Sequence, residues 1–313
     1  MPSPRLFIES LLPRDHKAIA SLLHLSLVQW YESRLRQGSR FGDSADPFGL
    51  IPEVYEELDP GEALVARDEN GGQFLGVCFV HPRPTHVSVG IVATAPEAQG
   101  RGVAKALLEP IVRRAQTDGK PVRLVSSALN LDSFSLYTRL GFIPYSLFQD
   151  VSLAVPSNGL RGDRPKGVDR VRLAEPDEAC RLANLEERLQ GIRREQDYRF
   201  FLTGKAGGWR TWVYEDVSGK LHGVLARSTH PSHSMLGPGV AVDESVALAL
   251  LWVALDDARG TTPVFLLPCA AAGLVKAVYR WGGRNVELHL AQTTGPIPVT
   301  SGISFPTFLP ESG

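Results

Sequence analysis

Two stretches of the chain, PVRLVSSALNLDSFSLYTRLGF at residues 121–142 and PVFLLPCAAAGLVKAVYRWGGR at residues 263–284, align without a gap at an offset of 142 residues. Pro121, Val122, Leu124, Tyr137 and Gly141 meet identical partners in Pro263, Val264, Leu266, Tyr279 and Gly283. The upstream patterns repeat as well. DRVRLAEPDEACRLANLEERL mirrors the strand and helix that open the chain, and TWVYEDVSGKLHGVLA mirrors its first hairpin. Such a duplication constrains the fold more than composition does, because one arrangement of strands and helices must bury its apolar faces twice. A length of 313 residues agrees with two domains, being more than one core commonly serves.

Strand and helix patterns alternate along the chain, so the class is α/β. Arg5–Ser10 alternates like a strand, LPRDHKAIASLLHLSLVQWYESRL reads as helix, and EALVARDENGGQFLGVCFV reads as two strands about a turn at Asn70, Gly71 and Gly72. THVSVGIVAT is rich in β-branched and small residues. PVRLVSSAL is a short apolar strand, and LDSFSLYTRL is a helix stopped by Gly141. VPSNGLRGDRPKG then mixes proline, glycine and charge with no apolar period. The expectation is two tandem mixed-sheet domains flanked by helices, covering residues 1–155 and 170–313, with a linker at 156–169.

Lys plus Arg at 33 against Asp plus Glu at 34 leaves a net charge of -1, which gives no global electrostatic reason for a nucleic-acid partner. Cys78, Cys180 and Cys269 are scattered and odd in number, so buried free thiols are expected and neither a disulfide framework nor a metal site is. The N-terminus lacks the basic-then-apolar order of a signal peptide, and no apolar run reaches the roughly 18 residues of a spanning helix. A cytoplasmic protein without a membrane partner, monomeric or homodimeric, is expected.

The stretch APEAQGRGVAKALLEPIV, Ala95–Val112, places Gly100, Arg101 and Gly102 where a helix begins. Val103, Ala106, Leu107 and Ile111 fall on one helix face. A helix start carries unpaired N–H groups and partial positive charge, so a glycine-lined entry suits phosphate oxygens. It equally suits a plain turn before an amphipathic helix. Aligning KALLEPIVRRA with LALLWVALDDA sets the Gln99–Ala104 loop opposite AVDESV, Ala241–Val246, where Asp243 and Glu244 would repel phosphate or serve the helix start themselves.

On these residues the chain resembles the GNAT superfamily of acyl-CoA-dependent N-acetyltransferases. Gln99, Gly100, Arg101, Gly102, Val103 and Ala104 fit that family's Arg/Gln-x-x-Gly-x-Gly/Ala signature, and Asn130 with LYTRLGF, Leu136–Phe142, is similar to the elements that follow its fifth strand. The likeness is strong over residues 5–155. Residues 170–292 match the element order and the tyrosine segment but not the cofactor signature, so the chain resembles a tandem GNAT protein with a degenerate second half. The resemblance implies acetyl-CoA as co-substrate, its pyrophosphate on the N–H groups of Gln99–Ala104 and its pantetheine arm along Val92, Ala93 and Thr94, with Asn130 nearby. It implies Tyr137 as the acid that protonates the departing thiolate, a phenol remaining protonated at neutral pH. Tyr279 is expected to serve packing.

The implied reaction is direct attack by a primary amine of a small molecule on the thioester, with a backbone N–H near Val92 polarising the carbonyl. Cys78, mid-strand among apolar neighbours, reads as a packing thiol. His86 and Ser88 alternate along a strand and are candidates to face the acceptor, His86 as base. Phe41–Asp59 carries six carboxylates with Phe41, Phe48 and Tyr55 and falls where this fold varies on the acceptor side, although a charge run is usually a solvated face. A CoA-responsive regulator without turnover and a non-catalytic scaffold are the alternatives.

Overall fold

A computed structural model describes residues 6–68, 72–204, 206, 208–309 and 311–312. Arg5, and the turn residues Asn70 and Gly71, lie outside them. The chain forms two compact units, one of residues 1–82 and 87–122, the other of residues 83–86 and 123–313.

The first unit contains β1 (Phe7–Ser10), α1 (His16–Leu35), α2 (Leu50–Leu58), β2 (Leu64–Arg67), β3 (Phe74–Pro82), β4 (Val87–Thr94) and α3 (Val103–Thr117). Its strands pair antiparallel in the order β1-β2-β3-β4. FLGVCFVHP in β3 is buried almost throughout, because helices cover both faces of the strand. On one face Gly76 leaves no room for a β-carbon, since Val103 Cγ1 of α3 lies 2.8 Å from that position. On the other, Tyr55 of α2 stacks on Phe79 at 4.2 Å between ring centroids. Cys78 pairs with Val92 and Val80 with Val89, so Gly90 and Ile91 together oppose Phe79. This bulge bends β4 just before Val92–Thr94.

The second unit contains nearly all of β5 (Val122–Ser127), then α4 (Leu131–Arg139), β6 (Phe142–Ser152), β7 (Val171–Leu173), α5 (Ala179–Gln190), α6 (Glu195–Thr203), β8 (Trp209–Glu215), β9 (Leu221–Ser228), β10 (Met235–Ala241), α7 (Glu244–Asp256), β11 (Val264–Pro268), α8 (Ala272–Arg280), β12 (Arg284–Thr294) and β13 (Ile303–Phe305). Its strand order is β5-β12-β6-β11-β10-β9-β8-β7, with β13 antiparallel on β10. Only the β10–β11 pair is parallel among the described pairings of this unit. The two repeats exchange their long closing strands: β12 of the second lies between β5 and β6 of the first, and β6 lies between β12 and β11. Val151, Leu153 and Val155 from the first repeat therefore sit in the core built by Trp212, Leu250, Phe265 and Leu274 of the second.

The duplication is visible in packing as well as pattern. In the second repeat Gly223 of β9 lies under α7 as Gly76 lies under α3, its missing β-carbon position 2.8 Å from Val246 Cγ1. Residues 156–167 form no helix or strand. Of the three free cysteines only Cys78 is buried; Cys180 is exposed on α5 and Cys269 is half-buried, which corrects the expectation of three buried thiols.

Candidate functional site

The glycine loop lies wholly in the first unit. Pro96–Ala98 form a short 3-10 turn, Gln99 is extended, and Gly100 and Gly102 adopt φ of 74° and 82°. That left-handed conformation, not crowding, is what requires glycine, since neither position has an atom within 4 Å of a would-be β-carbon. Gly102 is the N-cap of α3, and no side chain caps the helix. Gln99–Gly102 are exposed, and Arg101 has no acidic partner among the described residues. Val103, Leu107 and Ile111 are buried and hold the helix to the sheet. Val92, Ala93 and Thr94 are held on one side by β3, through Cys78, Val77 and Gly76.

The corresponding helix start in the second repeat is closed by its own residues. Asp243 is the N-cap of α7 and its carboxylate accepts from Val246 N–H at 2.9 Å and from Ser245 Oγ at 2.7 Å. Burial pushes the Asp243 carboxyl up, but these hydrogen bonds outweigh it and hold the group below its ordinary value. Glu244 accepts from Leu274 N–H at 2.7 Å and so ties α7 to α8. An anion offered to this helix would meet two carboxylates already in place.

Asn130 caps α4, its Oδ1 accepting from Ser133 N–H at 3.0 Å. The amide nitrogen is left as its donor toward a ligand. Tyr137 on α4 is buried with its ring tilted against Phe142 at 5.7 Å. Tyr279 differs from the packing role expected for it: 45% of its surface is exposed and its hydroxyl donates to Gln149 Oε1 at 2.7 Å.

His86 and Ser88 are both buried rather than open at a strand start. Thr85 Oγ1 accepts Arg193 N–H at 2.9 Å and bridges to His86 Nδ1 at 3.0 Å, which engages the ring on that side. The histidine that sequence reasoning missed is His81, at the end of β3. Its Nδ1 is hydrogen-bonded to Asp59, its ring stacks on Tyr55 at 4.8 Å, and its buried Nε2 has no partner among the described residues. Ser88, directly across the ladder, also has a buried unpartnered hydroxyl. A carboxylate on Nδ1–H fixes the tautomer and leaves the lone pair on Nε2, the arrangement of a proton acceptor. Asp59 ends the Phe41–Asp59 charge run, so the run is not uniformly a solvated face. The one signal for the pair was the HP at the end of an apolar strand.

Residues 22–142, from α1 to the first residue of β6, match the profile of the acetyltransferase (GNAT) family. These residues are similar to GNAT acetyltransferases. Its glycine loop falls inside the matched residues. Among curated relatives, the chain is similar to the mycothiol acetyltransferase of Pseudarthrobacter chlorophenolicus, 41% identical over 97 residues, which are 29% of this chain and 30% of that protein. The mycothiol acetyltransferase of Arthrobacter sp. (strain FB24) is 40% identical over 92 residues, 27% and 28% of the two chains. The similarity thus spans less than a third of these relatives. In fold the likeness extends over the whole chain. A putative acetyltransferase from Pyrococcus horikoshii superposes with a TM-score of 0.73 at 14% identity, covering 100% of this chain and 95% of that one. A tandem GNAT protein from the clavulanic acid biosynthesis pathway superposes with a TM-score of 0.58 at 18% identity, covering 94% and 100%. The fold is shared with these structures over nearly the whole chain. Among the described residues no helix is long and apolar enough to cross a membrane.

Proposed function

We propose that this protein is an acetyl-CoA-dependent N-acetyltransferase that moves an acetyl group to the primary amine of a small molecule, with one acetyl-CoA per chain held by the first repeat. The contrast between two helix starts carries the reading. Behind two left-handed glycines, α3 begins without a side-chain cap, whereas α7 begins behind a carboxylate that caps it. The first keeps N–H donors and partial positive charge for phosphate oxygens; the second has used them. The relatives named as acetyltransferases support the same reaction class.

When bound, acetyl-CoA supplies the acetyl group as an activated thioester. The chain's own groups then have distinct tasks. The N–H groups of Gln99–Ala104, with Arg101, hold the pyrophosphate, and the main chain of Val92–Thr94 and the Asn130 amide orient the pantetheine arm. An N–H near Val92 polarises the carbonyl oxygen. His81 Nε2, its tautomer set by Asp59, takes the proton lost by the amine as the C–N bond forms, and the Tyr137 hydroxyl gives its proton to the sulfur as the C–S bond breaks.

Titration calorimetry with acetyl-CoA is expected to find one site per chain, and 100 times the dissociation constant is expected to add about 2.7 kcal/mol of stability. Gly102→Glu places a carboxylate in the open space beside the α3 N–H groups and is expected to weaken binding roughly tenfold or more. Gly102→Ala shares the left-handed strain but not the charge, so it isolates the electrostatic part. Two sites per chain, or equal affinity in the two variants, would refute the loop assignment. Binding without thiol release across an amine panel would favour the regulator.

A further inference from the structure

The strand edge assigned above to the pantetheine arm has a counterpart in the second repeat, and that counterpart is already paired. In the first repeat Val92, Ala93 and Thr94 of β4 lie opposite Cys78, Val77 and Gly76 of β3, just after the bulge at Gly90 and Ile91. In the second, Gly239, Val240 and Ala241 of β10 lie opposite Leu225, Val224 and Gly223 of β9, just after a bulge at Gly237 and Pro238. The correspondence is fixed at both ends. Gly76 and Gly223 are the glycines beneath α3 and α7, and each bulge sets two residues against one, Phe79 in the first repeat and Ala226 in the second.

One side of β10 belongs to β9. On the other, β11 pairs only with Met235 and Leu236, and β13 pairs with Gly239, Val240 and Ala241 through Phe305, Ser304 and Ile303. A strand edge offers its main-chain groups once, so a second extended ligand has no place there. The fit is close at both ends of β13: the missing β-carbon of Gly302 would lie 2.2 Å from Ala241 O, and that of Gly237 2.7 Å from Pro306 O. Ile303 and Phe305 are buried in the core with Trp212, Leu225 and Phe265. The segment leading into β13 is the opposite in character, with Ile297 56% and Val299 98% exposed. It is gripped once, at Ser301, whose N–H donates to Leu189 O at 2.7 Å and whose carbonyl accepts from Gln190 Nε2 at 2.6 Å. An exposed connector, an antiparallel edge pairing and two inserted apolar side chains are the contacts of a peptide added to a sheet.

We propose that this edge of β10 is a receptor for an extended peptide strand, occupied in the intact chain by Ile303–Phe305 in the place of a cofactor arm. Naming the edge as the counterpart of an arm site rests on the acyl-transfer reading above; its occupation by a strand does not. Asp243 and Glu244 deny phosphate a seat at α7, and β13 denies an arm its edge, so the second repeat is closed to the cofactor at two points. The partner it fits is a segment with free main-chain groups over three residues and apolar side chains at the first and third.

The test places a protease recognition sequence at Pro298 in the full chain, cuts the folded protein, and adds a fluorescent peptide of residues 300–313, with anisotropy read in the absence of acetyl-CoA. The cut chain is expected to keep its cooperative melt and to exchange its own tail for the labelled peptide, one per chain. The uncut chain, whose edge is filled from within the same molecule, is expected to take up at least about 10²-fold less. A peptide carrying Ile303→Asp and Phe305→Asp is expected to bind at least about 10²-fold more weakly, and one N-methylated at residues 303–305 at least about tenfold more weakly, because the first loses two buried side chains and the second its main-chain donors. Calorimetry of the cut chain freed of its tail is expected to find one acetyl-CoA, as in the uncut chain. Loss of the cooperative melt on cutting, or a cut chain that never takes up the peptide, would overturn the proposal by marking β13 as an integral core strand. Equal binding of the N-methylated peptide would overturn it as well, since no edge pairing would then be involved, and a second acetyl-CoA after removal of the tail would return the edge to the cofactor. Failure of the acyl-transfer reading registers separately, as no thiol release from the uncut chain with any amine, while peptide exchange still reports on the edge.

Discussion

Residues 1–160 expressed alone are expected not to fold stably, although they contain the whole Gln99–Ala104 loop. The strand exchange is the reason. In the intact chain β6 is flanked by β12 along its whole length, Phe142 to Ser152, and by β11 from Phe148 to Ser152. Cutting at residue 160 removes both neighbours. Phe148, Val151, Leu153 and Val155 are at most 4% exposed in the intact protein, and their partners include Leu266, Ala291, Phe265 and Leu274 of the second repeat. Returning four such side chains to water costs about 1.5–3 kcal/mol each, or roughly 6–12 kcal/mol together. That is the size of the whole folding free energy of a typical domain, about 5–15 kcal/mol. The freed edge of β6 would add a template for aggregation. Circular dichroism melts and size-exclusion chromatography of the fragment decide the matter, with coexpressed residues 161–313 expected to restore a soluble, cooperatively melting complex. A monomeric fragment with a cooperative melt near that of the full chain would refute the reasoning, since β6 would then pair with β5 directly.

Two further substitutions test the chemistry. Tyr137→Phe retains the ring packed on Phe142 and is expected to lower turnover about 10²-fold with little change in acetyl-CoA affinity, whereas Tyr279→Phe loses only a half-exposed bond to Gln149 and is expected to leave turnover nearly intact; steady-state thiol release measures both. His81→Gln, which keeps a polar group beside Asp59 but cannot take the amine proton, is expected to lower kcat/KM about 10²-fold while preserving cofactor binding; an unchanged kcat/KM would return His81 to a purely structural role.

How much could be read in advance depended on how local the physics was. The tandem α/β plan was legible because apolar period and turn residues are properties of short windows, and the glycine loop because left-handed backbone at Gly100 and Gly102 is a demand on single residues. The strand exchange was not. β6 and β12 are compatible with either neighbour, and pairing between segments some 140 residues apart leaves no trace in local pattern. His81 and Asp59 escaped for the same reason: one ends an apolar strand, the other ends a charge run, and only the fold brings them together.

The fate of the second repeat follows from one helix start. With Gly76 and Gly223 admitting α3 and α7 equally closely to their sheets, the two repeats share the geometry that brings a helix N-terminus against a strand. They part at the cap. A glycine cap in the left-handed region fixes the backbone and leaves the N–H groups of α3 for a ligand, at some cost to the stability of the ligand-free helix. Asp243 satisfies those groups on α7 permanently, and Glu244 turns the same helix start into an anchor for α8 through Leu274. Substituting Asp243 alone would therefore not convert the second repeat into a cofactor site, because Glu244 would remain as a like charge against phosphate, and replacing both would remove the tie between α7 and α8. Asp243 and Glu244 thus stabilise the helix start of the second repeat. That stability fits its place in the fold, where its core encloses β6, the closing strand of the first repeat.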